Sequence, residues 1–225
     1  MGPTGALIVF EGAEGVGKST QVQLLTERLE RAGTVCRPVR EPGGTQIGDA
    51  IRDLLLHPRW TLDPRTEALL FMASRAQLVQ EVIRPALAAG ACVIADRFFL
   101  STYAYQVAGR LLPYEDVRSA NRVATGTLVP DLTLLLDLPP SEGLRRAAER
   151  GDHDRIERSG DDFHRRVSQA FGEFASPQWQ DAHPECGPIV RIDAAGSPTQ
   201  VATRIQKALS ARLSRTLAGL VGSHR

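Results

Sequence analysis

The sequence predicts a doubly wound α/β domain: a parallel sheet of about five strands with helices on both faces. Three short runs, 6–10, 91–95 and 132–138, are almost entirely apolar, which is typical of parallel strands buried on both faces. Longer segments with helical periodicity separate these runs. Because strands alternate with helices, parallel crossovers are favoured, and with them a single three-layer domain.

The other elements follow in chain order. Weaker strands are predicted at 34–40 and 188–192. Helices are predicted at 18–33, 46–56, 64–89, 99–126 with a break near Pro113, 140–150, 160–176 and 197–216. Ligands bind such sheets beyond the carboxyl ends of the strands. Functional side chains should therefore follow four strand ends, at Phe10, Arg40, Ala95 and Leu138.

The composition argues against several classes of protein. Hydrophobic residues make up 42% and charged residues 24% of the chain, so we expect one folded domain over 1–225, with a frayed tail at 217–225. A net charge of +1 gives no basic field for nucleic acid. There is no apolar run of the ~20 residues that a membrane span needs, and the three cysteines form no C-x-x-C pair. We expect a cytoplasmic protein that binds neither nucleic acid nor membrane.

The segment after the first strand carries the strongest motif. Residues 12–20, GAEGVGKST, match the phosphate-binding pattern G-x-x-x-x-G-K-[ST], between a buried strand and an amphipathic helix. Lys18, one of only two lysines, is predicted to reach the β and γ phosphates, and the Ser19 hydroxyl to ligate Mg²⁺. We expect ATP or GTP to bind through Gly12, Ala13, Glu14, Gly15, Val16, Gly17, Lys18, Ser19 and Thr20.

The third strand end narrows the class of nucleotide-binding protein. The Asn-Lys-x-Asp motif of regulatory GTPases is absent, because Asn121 is the only asparagine and Arg122 follows it. In motor and transporter ATPases the aspartate at this strand end is followed by a catalytic carboxylate. Here Asp96 is followed by Arg97. Asp96 suits a Mg²⁺-bound water and Arg97 an acceptor phosphate, although the two could also form a structural ion pair. The sequence favours a small acceptor that carries a phosphate.

Polar side chains also follow the second strand and the third. Arg40-Glu41-Pro42-Gly43-Gly44-Thr45 fits either a ligand site or a surface turn in which Arg40 and Glu41 form a solvated pair. Ser101 and Tyr105 are spaced i and i+4, with Thr102 and Gln106 beside them. That stripe fits a solvent face, but two tyrosines near a polar pair favour recognition of a flat base.

Two other helical segments carry candidate binding residues. Phe71 and Arg75 share one helix face and could stack on and hydrogen-bond to a base, although an aromatic at such a position more often belongs to the core. Residues 144–158 contain five arginines interleaved with acids. This segment fits either a salt-bridged helix end, with Arg145 and Glu149 at i and i+4, or a lid hinged at Gly151. We favour the lid.

Taken together and in order, the motifs resemble the thymidylate kinase family. The resemblance rests on residues 10–20, on Arg40 to Thr45, on Asp96-Arg97 with the Ser101-Thr102 and Tyr105-Gln106 pairs, and on residues 130–137. It covers about residues 6–210. It implies a P-loop nucleoside monophosphate kinase fold, and Mg²⁺-dependent transfer of the γ-phosphoryl group of ATP to dTMP, giving dTDP for dTTP synthesis. It also implies a homodimer.

The resemblance gives each matched residue a role. Catalysis would depend on Lys18, Arg97 and Arg150, and Mg²⁺ would be held by Ser19 and Asp96. Glu14 would meet the 3′-hydroxyl, Tyr105 would lie under the sugar and disfavour a 2′-hydroxyl, Phe71 would stack on thymine, and Arg75, Thr102 and Gln106 would face the base or sugar. The acceptor site would be completed by Arg40, Pro42, Arg52, Arg97 and Ser101, with the three arginines around its phosphate.

Arg150 matches the lid arginine of the bacterial subtype, because Gly15 occupies the position at which the eukaryotic type carries an arginine. Two features depart from the family pattern: Phe98, where Tyr or His often follows Asp-Arg, and the tail beyond Arg212. Neither belongs to the predicted phosphoryl-transfer groups.

Three alternatives stay open at this stage. A deoxynucleoside kinase shares the loop and the fold but must deprotonate a hydroxyl, so activity on thymidine would distinguish it. A kinase for another monophosphate would be separated by assaying ADP release across the monophosphates. A nucleotide-binding module without turnover would bind ATP and release no ADP.

Overall fold

A computed structural model describes residues 5–149 and 154–212. Its five strands are β1 (Ala6–Glu11), β2 (Cys36–Arg40), β3 (Cys92–Asp96), β4 (Leu132–Asp137) and β5 (Ile189–Asp193). They form one parallel sheet in the order β2-β3-β1-β4-β5. The predicted five-stranded α/β fold is therefore confirmed.

Ten α-helices are described. They are α1 (Lys18–Arg31), α2 (Gln46–Leu56), α3 (Pro64–Leu78), α4 (Arg84–Ala88), α5 (Phe99–Thr102), α6 (Tyr114–Thr125), α7 (Pro140–Ala148), α8 (Asp161–Glu173), α9 (Pro177–Ala182) and α10 (Pro198–Arg212). A π-helical turn, Val79–Ile83, joins α3 to α4, and a second, Tyr103–Gly109, continues α5. The predicted helices 64–89 and 99–126 thus differ from the structure in these two wider turns. The predicted break near Pro113 separates the second turn from α6.

Alternate residues of β1 face two separate cores, which explains why residues 6–10 of the strand are all apolar. Leu7 and Val9 pack with the core that includes the π-helical turns and α8. Ile8 and Phe10 pack with the core that α1 and α10 close. Apolar burial of this kind contributes about 25 cal/mol per Å² and fixes the sheet between its helix layers.

The register brings three strand ends to one level. Asp96 at the end of β3 lies opposite Phe10 of β1 on one side and opposite Arg40 of β2 on the other. Residues that follow these positions therefore emerge at the same edge of the sheet, as doubly wound sheets require.

Helix α9 was not predicted, because six residues are too few to show a period. Trp179 of α9 stacks on His183 with ring centroids 3.6 Å apart, and both rings pack against Tyr103. Among the described residues no helix combines the length and apolar character that a membrane span needs. The predicted tail at 217–225 and the centre of the predicted lid, residues 150–153, lie outside the described residues.

Candidate active site

A cavity of about 390 Å³ opens at the carboxyl ends of β1, β2 and β3. Seventeen of the residues to which the sequence assigned a binding or catalytic role line it. They are Glu14, Gly15, Gly17, Lys18, Ser19, Thr20, Arg40, Pro42, Arg52, Phe71, Arg75, Asp96, Arg97, Ser101, Thr102, Tyr105 and Gln106. Ala13 and Val16 line a second cavity behind the loop, and Gly12 contributes its carbonyl oxygen as described below.

The glycine loop, residues 12–17, takes its shape from left-handed backbone positions. Gly15 and Gly17 have φ values of 73° and 89°, which side chains disfavour. A Cβ atom on Gly15 would lie 2.0 Å from the backbone oxygen of Gly143 in α7. Position 15 therefore leaves no room for an arginine in this arrangement of loop and helix.

Lys18 begins α1 and turns its ammonium group back into the glycine loop. Its Nζ donates to the carbonyl oxygens of Gly12 at 3.0 Å and Ala13 at 2.7 Å. Burial, assisted by the nearby Arg97 cation, lowers the pKa of Lys18 to about 8, against the opposing effect of Asp96 and Glu14. A desolvated ammonium group that has no carboxylate partner within residues 5–149 and 154–212 is suited to an anionic ligand.

Ser19 and Asp96 meet across the start of the loop helix. The Ser19 hydroxyl donates to Asp96 Oδ2 at 2.6 Å. Arg97 does not pair with Asp96; it pairs instead with Glu14 at 3.2 Å, so a structural Asp96–Arg97 ion pair is ruled out by the geometry. Asp96 therefore stays available, with the Ser19 hydroxyl, on the floor of the cavity.

Arg97 is held in an unusual backbone conformation. Its φ of 74° is in the left-handed region, which non-glycine residues occupy at a cost of order 1–3 kcal/mol. Its Nη1 donates to Gly12 O at 3.2 Å and to Ser101 Oγ at 2.9 Å. The guanidinium group therefore lies against the glycine loop.

Glu11 supports this conformation from below the cavity. The Glu11 carboxylate is fully buried and accepts from the backbone nitrogens of Phe98 and Ser101, at 2.7 and 3.0 Å, and from Ser101 Oγ at 2.6 Å. Ser101 Oγ is in turn the acceptor for Arg97. Glu11 thus fixes Arg97 through Ser101. No role was predicted for Glu11, which directly follows the predicted strand 6–10.

Charges in this part of the cavity are mutually stabilised. Burial raises the pKa of Glu14, but Arg97 and Lys18 outweigh it and lower the value on balance. Burial lowers the pKa of Arg97, but Tyr105 and the carboxylates of Glu14 and Asp96 raise it on balance. Tyr105 donates its hydroxyl hydrogen to Glu14 and, because it is buried, its pKa lies well above the usual value. Glu14 and Arg97 are therefore charged, and Tyr105 is neutral.

The opposite side of the cavity, here called the α3 wall, consists of Glu41, Phe71, Arg75, Thr102 and Gln106. Arg75 is only 2% exposed, and all five of its N–H groups have acceptors. They are the Glu41 carboxylate, Thr102 Oγ1, Asn121 Oδ1 and the carbonyl oxygen of Phe98. A direct hydrogen bond from Arg75 to a base would have to replace one of these.

Glu41 is buried rather than solvated, so the surface-turn interpretation of Arg40 and Glu41 is wrong for Glu41. Burial raises the pKa of Glu41, and its ion pair with Arg75 opposes that effect. Neither Glu41 nor Asn121 was identified as a partner of Arg75, because both are distant from it in sequence. Phe71 is partly buried and packs on the core while also lining the cavity, so the two interpretations of this residue are compatible.

Two cations lie at the mouth of the cavity. The Arg40 side chain is exposed and has no hydrogen bond or ion pair with any described residue. Arg52 donates to the Pro42 carbonyl oxygen at 2.8 Å, and burial, together with repulsion from Arg40, lowers its pKa. Like charges brought together at a cavity mouth favour an anion between them.

The structure describes only part of the predicted lid, residues 144–149 and 154–158. Arg150 and the proposed hinge Gly151 lie outside them. Arg145 and Glu149 form an i, i+4 pair, with side chains 61% and 62% exposed, as the helix-end interpretation predicted. Arg146 pairs with Glu142 and lines the cavity. Beyond the gap, Asp154, Ile156 and Glu157 line the cavity as well, and the sequence did not single them out for contact with it.

Comparisons with known proteins agree with this geometry. The family model described as "Thymidylate kinase" matches residues 10–205. A thymidylate kinase from Synechococcus sp. (strain JA-2-3B'a(2-13)) is 50% identical over 212 residues, which cover 94% of this chain and 98% of that protein. One from Deinococcus radiodurans is 44% identical over 208 residues, which cover 92% and 98%.

A solved structure gives the same result. The crystal structure of thymidylate kinase from Ehrlichia chaffeensis superposes with a TM-score of 0.71 at 27% identity, and the alignment covers 92% of this chain and 100% of that one. Fold, cavity and sequence therefore agree: the chain belongs to the thymidylate kinase family and is a phosphotransferase of the class that phosphorylates dTMP to dTDP.

Proposed function

We propose that this protein transfers the γ-phosphoryl group of ATP to the phosphate of dTMP, giving dTDP and ADP, with Mg²⁺ as the metal. One observation carries the proposal beyond family membership: a phosphate-binding loop and a separate group of cations, Arg40, Arg52 and Arg97, line one cavity. Two anionic substrates that must meet require two such groups in one site.

Lys18 serves the phosphates of ATP. Its ammonium group now donates to two loop carbonyls, which are weaker acceptors than phosphate oxygens. When ATP binds, phosphate oxygens would replace one or both carbonyl oxygens as acceptors. Their negative charge would stabilise the buried Lys18 ammonium group. The left-handed glycines allow the backbone N–H groups of the loop to converge on the same phosphates.

Ser19 and Asp96 are the residues that would hold Mg²⁺. Their two oxygen atoms, 2.6 Å apart, are the hard ligands that Mg²⁺ prefers, with the remaining positions left to water and substrate phosphates. Among the described residues, no group of three or more His, Cys, Asp or Glu side chains could hold a metal ion, which fits a metal that arrives with its nucleotide. When bound, Mg²⁺ neutralises charge on the phosphate oxygens.

Arg97 holds the acceptor phosphate in line. That phosphate is already ionised, so the reaction needs positioning and charge stabilisation rather than a general base. Arg97 suits this role because its backbone conformation, Glu14, Ser101 and the loop all fix the guanidinium group. Arg40 and Arg52 add positive charge at the mouth of the cavity.

The α3 wall and Tyr105 recognise the nucleoside. Phe71 offers a face for stacking, and Gln106 and Thr102 offer polar groups beside it. Arg75 acts by organising Thr102 and Glu41, and through them the base site, rather than as a free donor. Tyr105 and Glu14, hydrogen-bonded to each other, are placed for the sugar.

Arg150 stabilises the transferred phosphoryl group in this proposal. Its support is sequence position and the tight contact at Gly15, which leaves the loop without an arginine of its own. Arg150→Ala should lower kcat on the order of 10³-fold if the residue acts as an arginine finger. A decrease in kcat of less than about tenfold, with ATP and dTMP affinity unchanged, would contradict this assignment.

We also propose a cytoplasmic homodimer. Helices α2 and α6 both pack against α3, and the three helices expose apolar side chains: Ile47, Leu54, Leu69 and Val123. Exposed apolar residues on neighbouring helices favour a second copy as their partner. Light scattering of the wild type and of Leu69→Lys tests this, since the substitution should shift the mass towards the monomer.

One assay decides between the candidate reactions. ADP release, coupled to NADH oxidation, is measured with dTMP, with the other nucleoside monophosphates and with thymidine. The proposal expects dTMP to give the highest kcat/KM and thymidine to give no activity. Turnover of thymidine would support a deoxynucleoside kinase, a preference for another monophosphate would change the substrate, and ATP binding without ADP release would indicate a binding module.

A further inference from the structure

Glu67 of α3 is the most heavily bonded acidic residue near the α3 wall, one helical turn before Phe71. Its side chain is 1% exposed. Its Oε1 accepts from Gln106 Nε2 at 3.1 Å and Arg110 Nε at 3.0 Å. Its Oε2 accepts from Arg110 Nη2 at 2.9 Å and Arg155 Nη2 at 2.7 Å. These four bonds use the lone-pair positions of a carboxylate.

Glu67 is therefore a charged acceptor. Burial raises its pKa, but the hydrogen bonds and charges of Arg110 and Arg155 outweigh burial and lower the value on balance. Arg110 binds the Glu67 carboxylate bidentately, through one hydrogen bond to each oxygen. Oε2 accepts a second hydrogen bond from Arg155. The carboxylate thus joins one residue that lines the cavity, Gln106, to the last residues of the predicted lid, 154–158.

Arg155 attaches that segment at three points. Besides Glu67, its Nε donates to the Leu55 carbonyl oxygen at 2.7 Å, and its backbone N–H donates to that of Leu56 at 2.9 Å. Both carbonyls belong to the last turn of α2, where a helix leaves its acceptors unpaired. The Arg155 side chain is 11% exposed, and its neighbour Ile156 is buried.

The attachment matters because segment 154–158 forms part of the cavity. Asp154, Ile156 and Glu157 line it, as does Leu56, to which the segment is bonded. The segment is a turn with no helix or strand of its own, so the three bonds of Arg155 contribute to where it lies. The bond from Arg155 to Glu67 holds it on the same carboxylate that orients Gln106.

We propose that Glu67 and Arg155 are positioning residues for the acceptor nucleotide: their ion pair holds segment 154–158 against the nucleoside side of the cavity and keeps the Gln106 amide aimed at the base. The inference rests on the proposed function, because it assigns the α3 wall to dTMP. Neither residue touches the reacting phosphates, so the pair affects the binding of dTMP and leaves the transfer step almost unchanged.

The test is the kinetics of Arg155→Ala with dTMP varied at saturating ATP. The variant loses the side-chain bonds to Glu67 and to the Leu55 carbonyl oxygen and keeps only the backbone bond to Leu56. This loss should raise KM for dTMP by at least about tenfold, while kcat changes by less than about threefold. KM for ATP should not change. A merely structural role would give the reverse, because partial unfolding reduces the number of active molecules and so lowers kcat at constant KM.

Conservative and control variants make the result specific. Arg155→Lys keeps the charge near Glu67 but not the forked geometry, so it should recover part of the lost affinity. Glu67→Gln should raise KM for dTMP in the same way. Arg165→Ala removes an arginine from an exposed pair with Asp162, at 64% and 74% side-chain exposure, and should leave both constants unchanged.

A double variant tests the link to the base. If the pair acts through Gln106, the KM increases of Arg155→Ala and Gln106→Ala should not multiply when combined. Independent multiplication, or an effect of Arg155→Ala no larger than that of Arg165→Ala, overturns the inference. If Arg155→Ala fails to fold, Arg155→Lys and Glu67→Gln decide by the same criteria. Wild-type protein inactive on dTMP would instead refute the proposed function itself.

Discussion

The glycine loop and the α3 wall line one cavity but hold their groups in different ways. The loop uses backbone: left-handed glycines and the first residues of one helix shape it, and Lys18 bonds to carbonyls only five and six residues away. The wall uses buried charged side chains from separate elements, with Arg75 joined to Glu41 and Asn121, 34 and 46 residues away. Contacts between residues close in sequence therefore shape the loop, whereas contacts between residues far apart in sequence hold the wall.

The difference separates two kinds of vulnerability. In the loop, substitutions should act through backbone conformation and through the charge of one desolvated ammonium group. In the wall, removal of one partner leaves another charge buried without compensation, so the whole domain should lose stability. Four predictions test this contrast, from the largest expected effect to the smallest.

Arg75→Met should have the largest effect on stability. It leaves the Glu41 carboxyl buried without its cation, and breaking a buried pair in this way costs about 3–5 kcal/mol. Urea denaturation measures the change in the free energy of unfolding. Combining Arg75→Met with Glu41→Leu should lose less than Arg75→Met alone, because no buried charge of this pair remains. A single-variant loss below about 1 kcal/mol would contradict a tertiary wall built on this pair.

Gly15→Ala should exceed Gly17→Ala in cost. Both positions have positive φ, which costs an alanine about 1 kcal/mol. At Gly17 a Cβ atom would meet nothing within 4 Å, whereas at Gly15 it would meet the Gly143 backbone oxygen at 2.0 Å. We expect about 1 kcal/mol for Gly17→Ala and about 2–3 kcal/mol for Gly15→Ala, with a raised KM for ATP in the latter. Equal losses of stability in the two variants would contradict this prediction, because they would show that α7 moves away from the loop at no cost.

ATP binding should take up protons at alkaline pH. Burial and Arg97 lower the pKa of Lys18 to about 8 in the free protein, so Lys18 is mostly neutral above that pH, while phosphates bind its charged form. Binding must then recruit a proton, and affinity should fall towards about tenfold per pH unit above the pKa. Calorimetry at pH 8.5, in two buffers of different ionisation enthalpy, measures the uptake.

The matched control for this experiment is Lys18→Arg. A guanidinium group stays protonated at pH 8.5, so any uptake by this residue should disappear. At pH 7 the wild type should also show little uptake from Lys18, since both free and bound forms are then protonated. Wild-type uptake that is the same at pH 7 and pH 8.5 would mean that burial does not perturb Lys18.

Arg145→Ala should have the smallest effect. Its pair with Glu149 is exposed on both sides and spaced i, i+4 on α7. Pairs of this kind contribute about 0.3–0.5 kcal/mol, and salt screens them. Thermal unfolding with and without 0.5 M NaCl, which is about five times the concentration at which the Debye length is ~10 Å, should show little difference between variant and wild type. A loss comparable to that of Arg75→Met would contradict the contrast between surface and buried pairs.

Sequence predicted the fold and most of the cavity, for reasons that differ by residue. The three central strands, β1, β3 and β4, were visible because parallel strands buried on both faces are largely apolar, and the loop because its motif is contiguous. The edge strands β2 and β5 gave weaker patterns. Arg40, Asp96 and Arg97 were placed correctly at one edge because parallel strands end together. The π-helical turns were not predicted, because their sequence pattern is too close to that of an α-helix. Helix α9 was not predicted, because it is too short to show a period.

The supporting carboxylates also escaped prediction. Glu11 directly follows the apolar run 6–10, and nothing local shows that its side chain bonds to Ser101, 90 residues later. Glu67 belongs to an ordinary helical pattern, and its partner Arg155 lies 88 residues away, in an arginine-rich segment where no role was predicted for it. Conversely, Arg75 was singled out as a free donor to a base, and only its environment shows that every donor is engaged.

The sequence by itself determined the glycine loop, the strand ends and the placement of Lys18 and Arg97 beside them, because backbone conformation over a few residues follows from those residues. Only tertiary structure decided which carboxylate serves which arginine: Glu14 for Arg97, Glu41 for Arg75 and Glu67 for Arg155. The physical reason is that burying a charge is unfavourable unless an opposite charge is brought to it. The chain offers many acids and arginines, and packing alone selects the pairs.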